Sequence, residues 1–146
     1  MANHNFKLFI AFVLICAVFS GAVLFSLSQA KGDQIAARAA ANAFYGRLQA
    51  RDFQGARALM TRERQDVLSI QTLAKTWNQF EAKHGQLQKW EQADMPTVYG
   101  NRISLFPRYV EESRLLIGSQ GKPGAGMLHL QPENGQWKVG RVSIVP

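Results

Sequence analysis

Residues 73–87 read LAKTWNQFEAKHGQL, and within them the chain changes from a helical to an extended pattern. Four side chains in this stretch recur at the spacing of one helix face: Leu73, Trp77, Phe80 and His84. Gly85 follows as a terminator, because glycine readily adopts the left-handed conformation that ends a helix. The pattern therefore predicts helices over residues 33–85 and strands with turns over residues 86–146, which is the order of an α+β domain.

The helical half contains three further predicted pieces. Asp33 is a candidate cap for a helix whose apolar positions recur at helical spacing: Ala37, Ala41, Phe44 and Leu48. A short second helix is predicted over residues 53–60, with Thr61 capping a third piece that ends at Leu68.

Glycines and asparagines divide the second half into short segments. The predicted strands are Leu87–Asp94, Val98–Phe106, Ser113–Ser119, Gly126–Gln131 and Gln136–Val145. Turns are predicted at residues 121–124 and 133–135, and the second contains Asn-Gly, which is typical of a tight hairpin. Two apolar pairs in the last strand are out of phase, Trp137 with Val139 and Val142 with Ile144. A bulge near Gly140 would bring both pairs to the core.

Residues 8–27 carry no charge, and 20 helical residues match the thickness of a bilayer core. Lys7 is the only charged residue among the first 30. The segment is either an uncleaved membrane anchor or a signal peptide cleaved near Ala30, whose small neighbours suit cleavage. Both interpretations divide the chain into residues 1–30 and a soluble domain over residues 31–146. They place that domain at the inner membrane facing the periplasm, or in the periplasm or medium after cleavage.

Composition excludes a polytopic membrane protein and a disordered chain. The net charge is +7, and it falls only to +6 without Lys7, so the basic excess belongs to the soluble domain. Because its arginines are spread out rather than clustered, they indicate a surface beside a membrane and not nucleic-acid binding. The single cysteine, Cys16, lies in the apolar segment, which excludes disulfides and thiolate metal sites from the soluble domain.

The sequence contains no recognisable catalytic motif. Its three histidines, His4, His84 and His129, share no metal-ligand spacing, and no serine lies in a nucleophile elbow. The glycines of residues 118–126 do not form a phosphate loop, because a proline follows the lysine and a strand follows the proline. We therefore predict no catalytic residues, no metal and no cofactor.

Large aromatic side chains and one histidine are the candidates for lining a ligand pocket between helices and sheet: Tyr45, Trp77, Trp90, Tyr109, His129 and Trp137. His129 alternates away from two flanking leucines, so it faces either solvent or a pocket. If the domain is a cavity enzyme, His129 and Asp94 are the two positions to substitute first.

Three segments resemble the nuclear-transport-factor-2-like, or cystatin-like, superfamily in its uncharacterised bacterial exported members. They are Ala43-Phe44-Tyr45 with Leu48, Asp52-Phe53 and Ala56; Leu73–Trp77 through His84–Leu87; and Gly135–Val139 with Ile144–Pro146. The resemblance spans about residues 35–146. It implies a cone, in which helices pack on a strongly curved antiparallel sheet around a cavity. Enzymes of that superfamily place Asp, His or Tyr residues in the cavity, but their positions do not map onto this chain.

These observations favour a non-catalytic binding domain that is exported and membrane-anchored and takes a protein partner, a second copy of the chain or a small apolar ligand. One alternative is a structural component of an envelope assembly such as a secretion system. Another is a cavity enzyme of isomerase or hydrolase type.

Overall fold

The structure of the chain, a computed structural model, describes residues 2–94, 97–99 and 108–145. Within residues 2–27 the description extends to side chains only at Ser20 and Phe25, and the side chain of Tyr99 also lies outside it. Four helices precede five strands in the described residues: α1 (Ala2–Gln49), α2 (Phe53–Ala58), α3 (Arg62–Val67), α4 (Ile70–His84), β1 (Leu87–Gln92), β2 (Thr97–Tyr99), β3 (Tyr109–Gly118), β4 (Pro123–Glu133) and β5 (Gln136–Val145). The predicted α+β order is confirmed.

The chain divides into two compact units, Met1–Gly32 and Asp33–Pro146. In the first unit the backbone is helical from Ala2 onward. Among the described residues, no helix is long and apolar enough to cross a bilayer. Except for Ser20 and Phe25, the side chains of the predicted anchor or signal segment, residues 8–27, lie outside the described set.

Polar side chains cap the short helices of the second unit. The Asp52 carboxylate accepts from the backbone N–H of Gly55 at 2.8 Å and from the Arg47 guanidinium at 2.7 Å. Both contacts favour the ionised form, so they lower the pKa of Asp52, the backbone hydrogen bond contributing most. The hydroxyl of Thr61 accepts from the backbone N–H of Arg64 at 3.3 Å, which confirms its predicted role as a cap.

One predicted cap is wrong. Asp33 lies inside α1, where it is buried and pairs with Arg108 at 3.1 Å. Its carboxylate therefore meets a cation from outside the helix and does not cap the helix start.

Helix α4 ends as predicted. Gly85 has φ +78° and donates its backbone N–H to the carbonyl of Glu81 at 2.8 Å. His84 is buried in the last turn, its Nδ1 lies 3.0 Å from the carbonyl oxygen of Lys122, and its ring stacks on Phe80. A structural role for His84 accounts for these contacts.

The five strands form an antiparallel sheet in the order β1-β3-β4-β5, and β2 pairs with β3 beyond the end of β1. Within the described residues the sheet is open, with β1 and β5 at its two sides. Beyond β5, Met60 adds a parallel bridge to Val139, so the junction of α2 and α3 lies along this side of the sheet. This places α3 beside the β4–β5 pair.

The two faces of the sheet differ in what covers them. The inner face packs against the helices and carries the strand side chains of the core, among them Val110, Leu116, Leu128, Leu130, Val139 and Ile144. The helices contribute their predicted apolar positions, which are buried from Ala37 to Phe80. The outer face carries the alternate residues of β3, β4 and β5, many of which are exposed.

The glycines of β4 correct one predicted boundary. The strand begins at Pro123 and not at Gly126, so Gly124 is part of the strand and not of the turn. A Cβ at Gly124 would lie 2.6 Å from the Phe80 ring, and one at Gly126 would collide with the Tyr45 hydroxyl. These glycines therefore admit two aromatic rings onto the inner face. The predicted second hairpin is confirmed, with positive φ at Asn134 and Gly135.

The predicted bulge in β5 is also confirmed. His129 pairs with Arg141 and Leu130 pairs with Val139, which leaves Gly140 as the extra residue. The bulge returns Ile144 to the core and turns Arg141 toward the same face as His129. Of the predicted strand Val98–Phe106, residues 100–106 lie outside the described residues.

Candidate functional site

The six residues predicted to line a pocket lie at separate places. Tyr45 and Trp90 meet on the inner face with ring centroids 6.0 Å apart, and Trp77 is buried in the core against Phe80. Tyr109 and His129 meet on the outer face, 4.1 Å apart. The sixth, Trp137, packs at the edge of the core, and the Arg108 guanidinium lies 5.4 Å from its ring.

A polar cluster is buried on the inner face, between α1 and β3. The side chain of Glu112 is fully buried and that of Arg114 is 5% exposed. Arg114 donates from Nε to Glu112 Oε1 at 2.8 Å, and its Nη2 contacts the same oxygen. Its Nη1 donates to Asn42 Oδ1 at 2.7 Å, and the Trp90 indole N–H is directed at this oxygen from 3.4 Å.

Two oxygens of this region are buried with no hydrogen-bond partner among the described residues, the Tyr45 hydroxyl and Glu112 Oε2. Burial raises the pKa of Tyr45 well above its ordinary value, against an opposing effect of Arg114, which lies 5.7 Å from the ring. Tyr45 is therefore a neutral phenol throughout the physiological range. Within this cluster the hydrogen bond from Arg114 to Asn42 joins β3 to α1, whereas the ion pair with Glu112 lies within β3.

A polar pocket of about 340 Å³ lies on the outer side, where α3 meets β4 and β5. It is lined by Thr61, Glu63, Arg64, Val67, His129, Gln131, Gly140 and Arg141. Arg64 also lines a second pocket of about 240 Å³, which lies on the other side of α3 against α4 and the end of β5. The Nε of Arg64 is buried and has no hydrogen-bond partner among the described residues. Neither of these two pockets is lined by Tyr45, Trp77 or Trp90.

The other end of the outer face is apolar. Leu115, Met127 and Val145 are 40%, 49% and 58% exposed. Ala125 pairs with Leu115 on one side and Val145 on the other, and Met127 lies two residues further along β4. These four residues form one continuous surface, which we call the apolar patch.

Metal-ligating side chains do not converge in the described part of the chain. No group of three or more His, Cys, Asp or Glu residues there is placed to hold a metal ion. Asp94, a candidate position for catalysis, is exposed just beyond the end of β1, whereas His129 lies across the sheet in β4. The structure therefore does not bring these two together.

The sequence did not identify Asn42, Glu112 and Arg114 as members of a buried cluster. It also did not identify Arg64 or Arg141 as a site residue. Glu112 and Arg114 did leave a signal, since they alternate in phase with Val110 and Leu116. Arg141 could have been assigned from the predicted bulge, because an extra residue at Gly140 reverses the side on which it emerges.

In the described part of the chain, the fold and these sites define an α+β domain with an open five-stranded sheet covered by helices on one face. Comparison of the chain with models of known families, with curated proteins and with solved structures finds no match in any of the three.

Proposed function

We propose that the chain is a non-catalytic binding domain, held at the periplasmic face of the inner membrane by residues 8–27, that binds protein through the outer face of its sheet. The observation that carries this proposal is the apolar patch. Single exposed apolar residues are common on protein surfaces, but contiguous ones on an uncovered sheet are typical of interaction sites.

The partner we propose is a second copy of the chain. The patch has residues on both sides of β4, since Leu115 and Val145 each pair directly with Ala125, one on either side. A two-fold axis along β4 would place Leu115 of one copy opposite Val145 of the other, and each Met127 opposite its counterpart. Such self-complementarity is what an isologous dimer interface requires.

The nuclear-transport-factor-2-like cone is part of the same proposal. It is supported by the order of helices before strands and by the packing of helices on one face of an antiparallel sheet. The anchor rests on the uncharged residues 8–27.

Cysteine crosslinking of the full-length protein in membranes tests the dimer. Cys16→Ser removes the native thiol, and Met127→Cys then places one thiol beside the proposed axis. A short bis-maleimide should join two copies at this position. The matched control is Ala82→Cys, which is exposed on α4 and far from the sheet's outer face.

Adding Leu115→Arg to the Met127→Cys variant should abolish the crosslink, because it places a charge opposite Val145 of the second copy. Equal dimer yields from the Met127 and Ala82 thiols would overturn the proposal. Crosslinking of Met127→Cys only to other envelope proteins would also overturn it, in favour of the assembly component.

A further inference from the structure

The outer-face pocket beside α3 is built from groups that the proposed dimer does not use. It lies at His129 and Arg141, two residues along β4 from Met127 and four residues along β5 from Val145, or roughly 7 Å and 13 Å. A volume of about 340 Å³ is in the range of small-molecule sites.

The charge lining the pocket is predominantly basic. Arg64 enters from α3 and Arg141 from β5, against one carboxylate, Glu63. Neither arginine takes part in an ion pair among the described residues. The Arg64 Nε is in addition withdrawn from solvent without a hydrogen-bond acceptor. A guanidinium group in this state favours an anionic oxygen acceptor.

The backbone directs these groups into one space. The bulge at Gly140 turns Arg141 onto the face of His129, and Gly140 itself forms part of the pocket wall. A Cβ at Gly140 would lie 3.2 Å from both the amide carbon and Oε1 of Gln131, so glycine at this position allows the Gln131 side chain to approach β5 closely. The His129 ring is held by its contact with Tyr109 at 4.1 Å.

We propose that this pocket binds a small organic anion, whose carboxylate or phosphate oxygens accept hydrogen bonds from Arg64 and Arg141. Guanidinium groups recognise both chemistries because their planar donors match two oxygens of either group. His129 and Gln131 border the bound anion, and the Val67 side chain provides an apolar wall for its organic part.

The test is an NMR titration of the full-length protein in detergent micelles, which follows the imidazole signals of His129. The probes are benzoate, phenyl phosphate and the neutral isostere benzamide. Both anions, or one of them, should shift the His129 signals saturably, and benzamide should not. The anion that binds assigns the site to carboxylates, to phosphates or to both.

Arg64→Gln and Arg141→Gln should each raise the dissociation constant of the anion by on the order of tenfold to a hundredfold, the range expected for loss of a charged hydrogen bond. Arg62→Gln is the matched control, because it removes the same charge from an exposed neighbour that does not line the pocket. Arg141 is exposed, so its variant tests the site even if Arg64→Gln impairs folding. Binding of benzamide as tight as benzoate, or equal weakening by Arg62→Gln and Arg141→Gln, would overturn the proposal.

Discussion

The contact between Gly126 and Tyr45 gives the sharpest test of the inner face. A Cβ at Gly126 would collide with the Tyr45 hydroxyl oxygen and lie 3.2 Å from its Cζ and 3.1 Å from Leu116 Cδ1. Tyr45 is fully buried, so its ring has no room to withdraw. Overpacking of this kind destabilises the folded state by about 1–3 kcal/mol. The lower conformational entropy of an unfolded chain with alanine offsets about 0.4–1 kcal/mol of this loss. We therefore expect Gly126→Ala to destabilise the fold by about 1–2 kcal/mol.

Removing the hydroxyl should reverse most of this loss. Tyr45→Phe deletes the atom nearest to the new Cβ, and it also deletes a buried hydroxyl that has no hydrogen-bond partner among the described residues. Tyr45→Phe alone should thus stabilise the fold, by about 1 kcal/mol. In its presence Gly126→Ala should be close to neutral, which gives a coupling energy of about 1–2 kcal/mol between the two positions.

The assay is thermal unfolding of the four proteins of this cycle in detergent micelles, followed by tryptophan fluorescence. A change of 1 kcal/mol corresponds to roughly 4 °C in Tm for a domain of this size. Gly46→Ala is the control, since a Cβ there meets nothing within 4 Å and should not lower Tm. The reasoning is refuted if Gly126→Ala lowers Tm equally with tyrosine and with phenylalanine at position 45.

Three further outcomes follow from the described contacts, each measured by thermal unfolding. Glu112→Gln should lower the free energy of unfolding by about 3–5 kcal/mol, because it leaves Arg114 buried without its carboxylate. Glu112→Leu combined with Arg114→Met should lower it much less, and equal losses would contradict this account. Gly118→Ala should be the most destabilising glycine variant of β3 and β4, because its Cβ would lie 2.6 Å from the carbonyl carbon of His84, a backbone atom that cannot turn aside. For Asp52, the lowered pKa means that the carboxylate stabilises the fold above the ordinary carboxyl pKa and that this contribution is lost as pH falls through the folded-state pKa. Asp52→Asn should therefore lower Tm at neutral pH, and the difference from the parent should shrink in acid; a constant difference would show that the charge is irrelevant.

Much of the fold follows from local patterns in the sequence. The spacing from Leu73 to His84 and the terminator Gly85 identify α4, and Asn134 with Gly135 identifies the last hairpin. The bulge at Gly140 was predictable because a buried strand must keep its apolar residues in one phase. In each case, residues close together in the sequence carry the signal.

The candidate site was predicted less well, because aromatic composition indicates burial but not which face of a sheet a residue occupies. Trp77 and His129 illustrate the difference, since one is in the core and the other is on the outer face. Asn42 contacts Arg114, and Arg64 shares a pocket wall with His129 and Arg141; these neighbours are distant in sequence, so no local pattern identifies them.

Strand β3 shows why the buried polar cluster matters to the outer face. Residues 110–117 read VEESRLLI, and alternation gives each face two apolar and two polar residues. Hydrophobicity therefore does not select between the observed register and one slipped by a single residue, which would exchange the two faces. The hydrogen bond from Arg114 to Asn42 of α1 forms only when Arg114 faces inward, whereas the bond to Glu112 lies within one face of β3 and does not depend on register. A buried ion pair adds little net stability, but the slipped register would lose the bond between Arg114 and Asn42, so we infer that this bond favours the observed register. By fixing Glu112 and Arg114 inside, it fixes Leu115 outside, on the surface where we propose that protein binds.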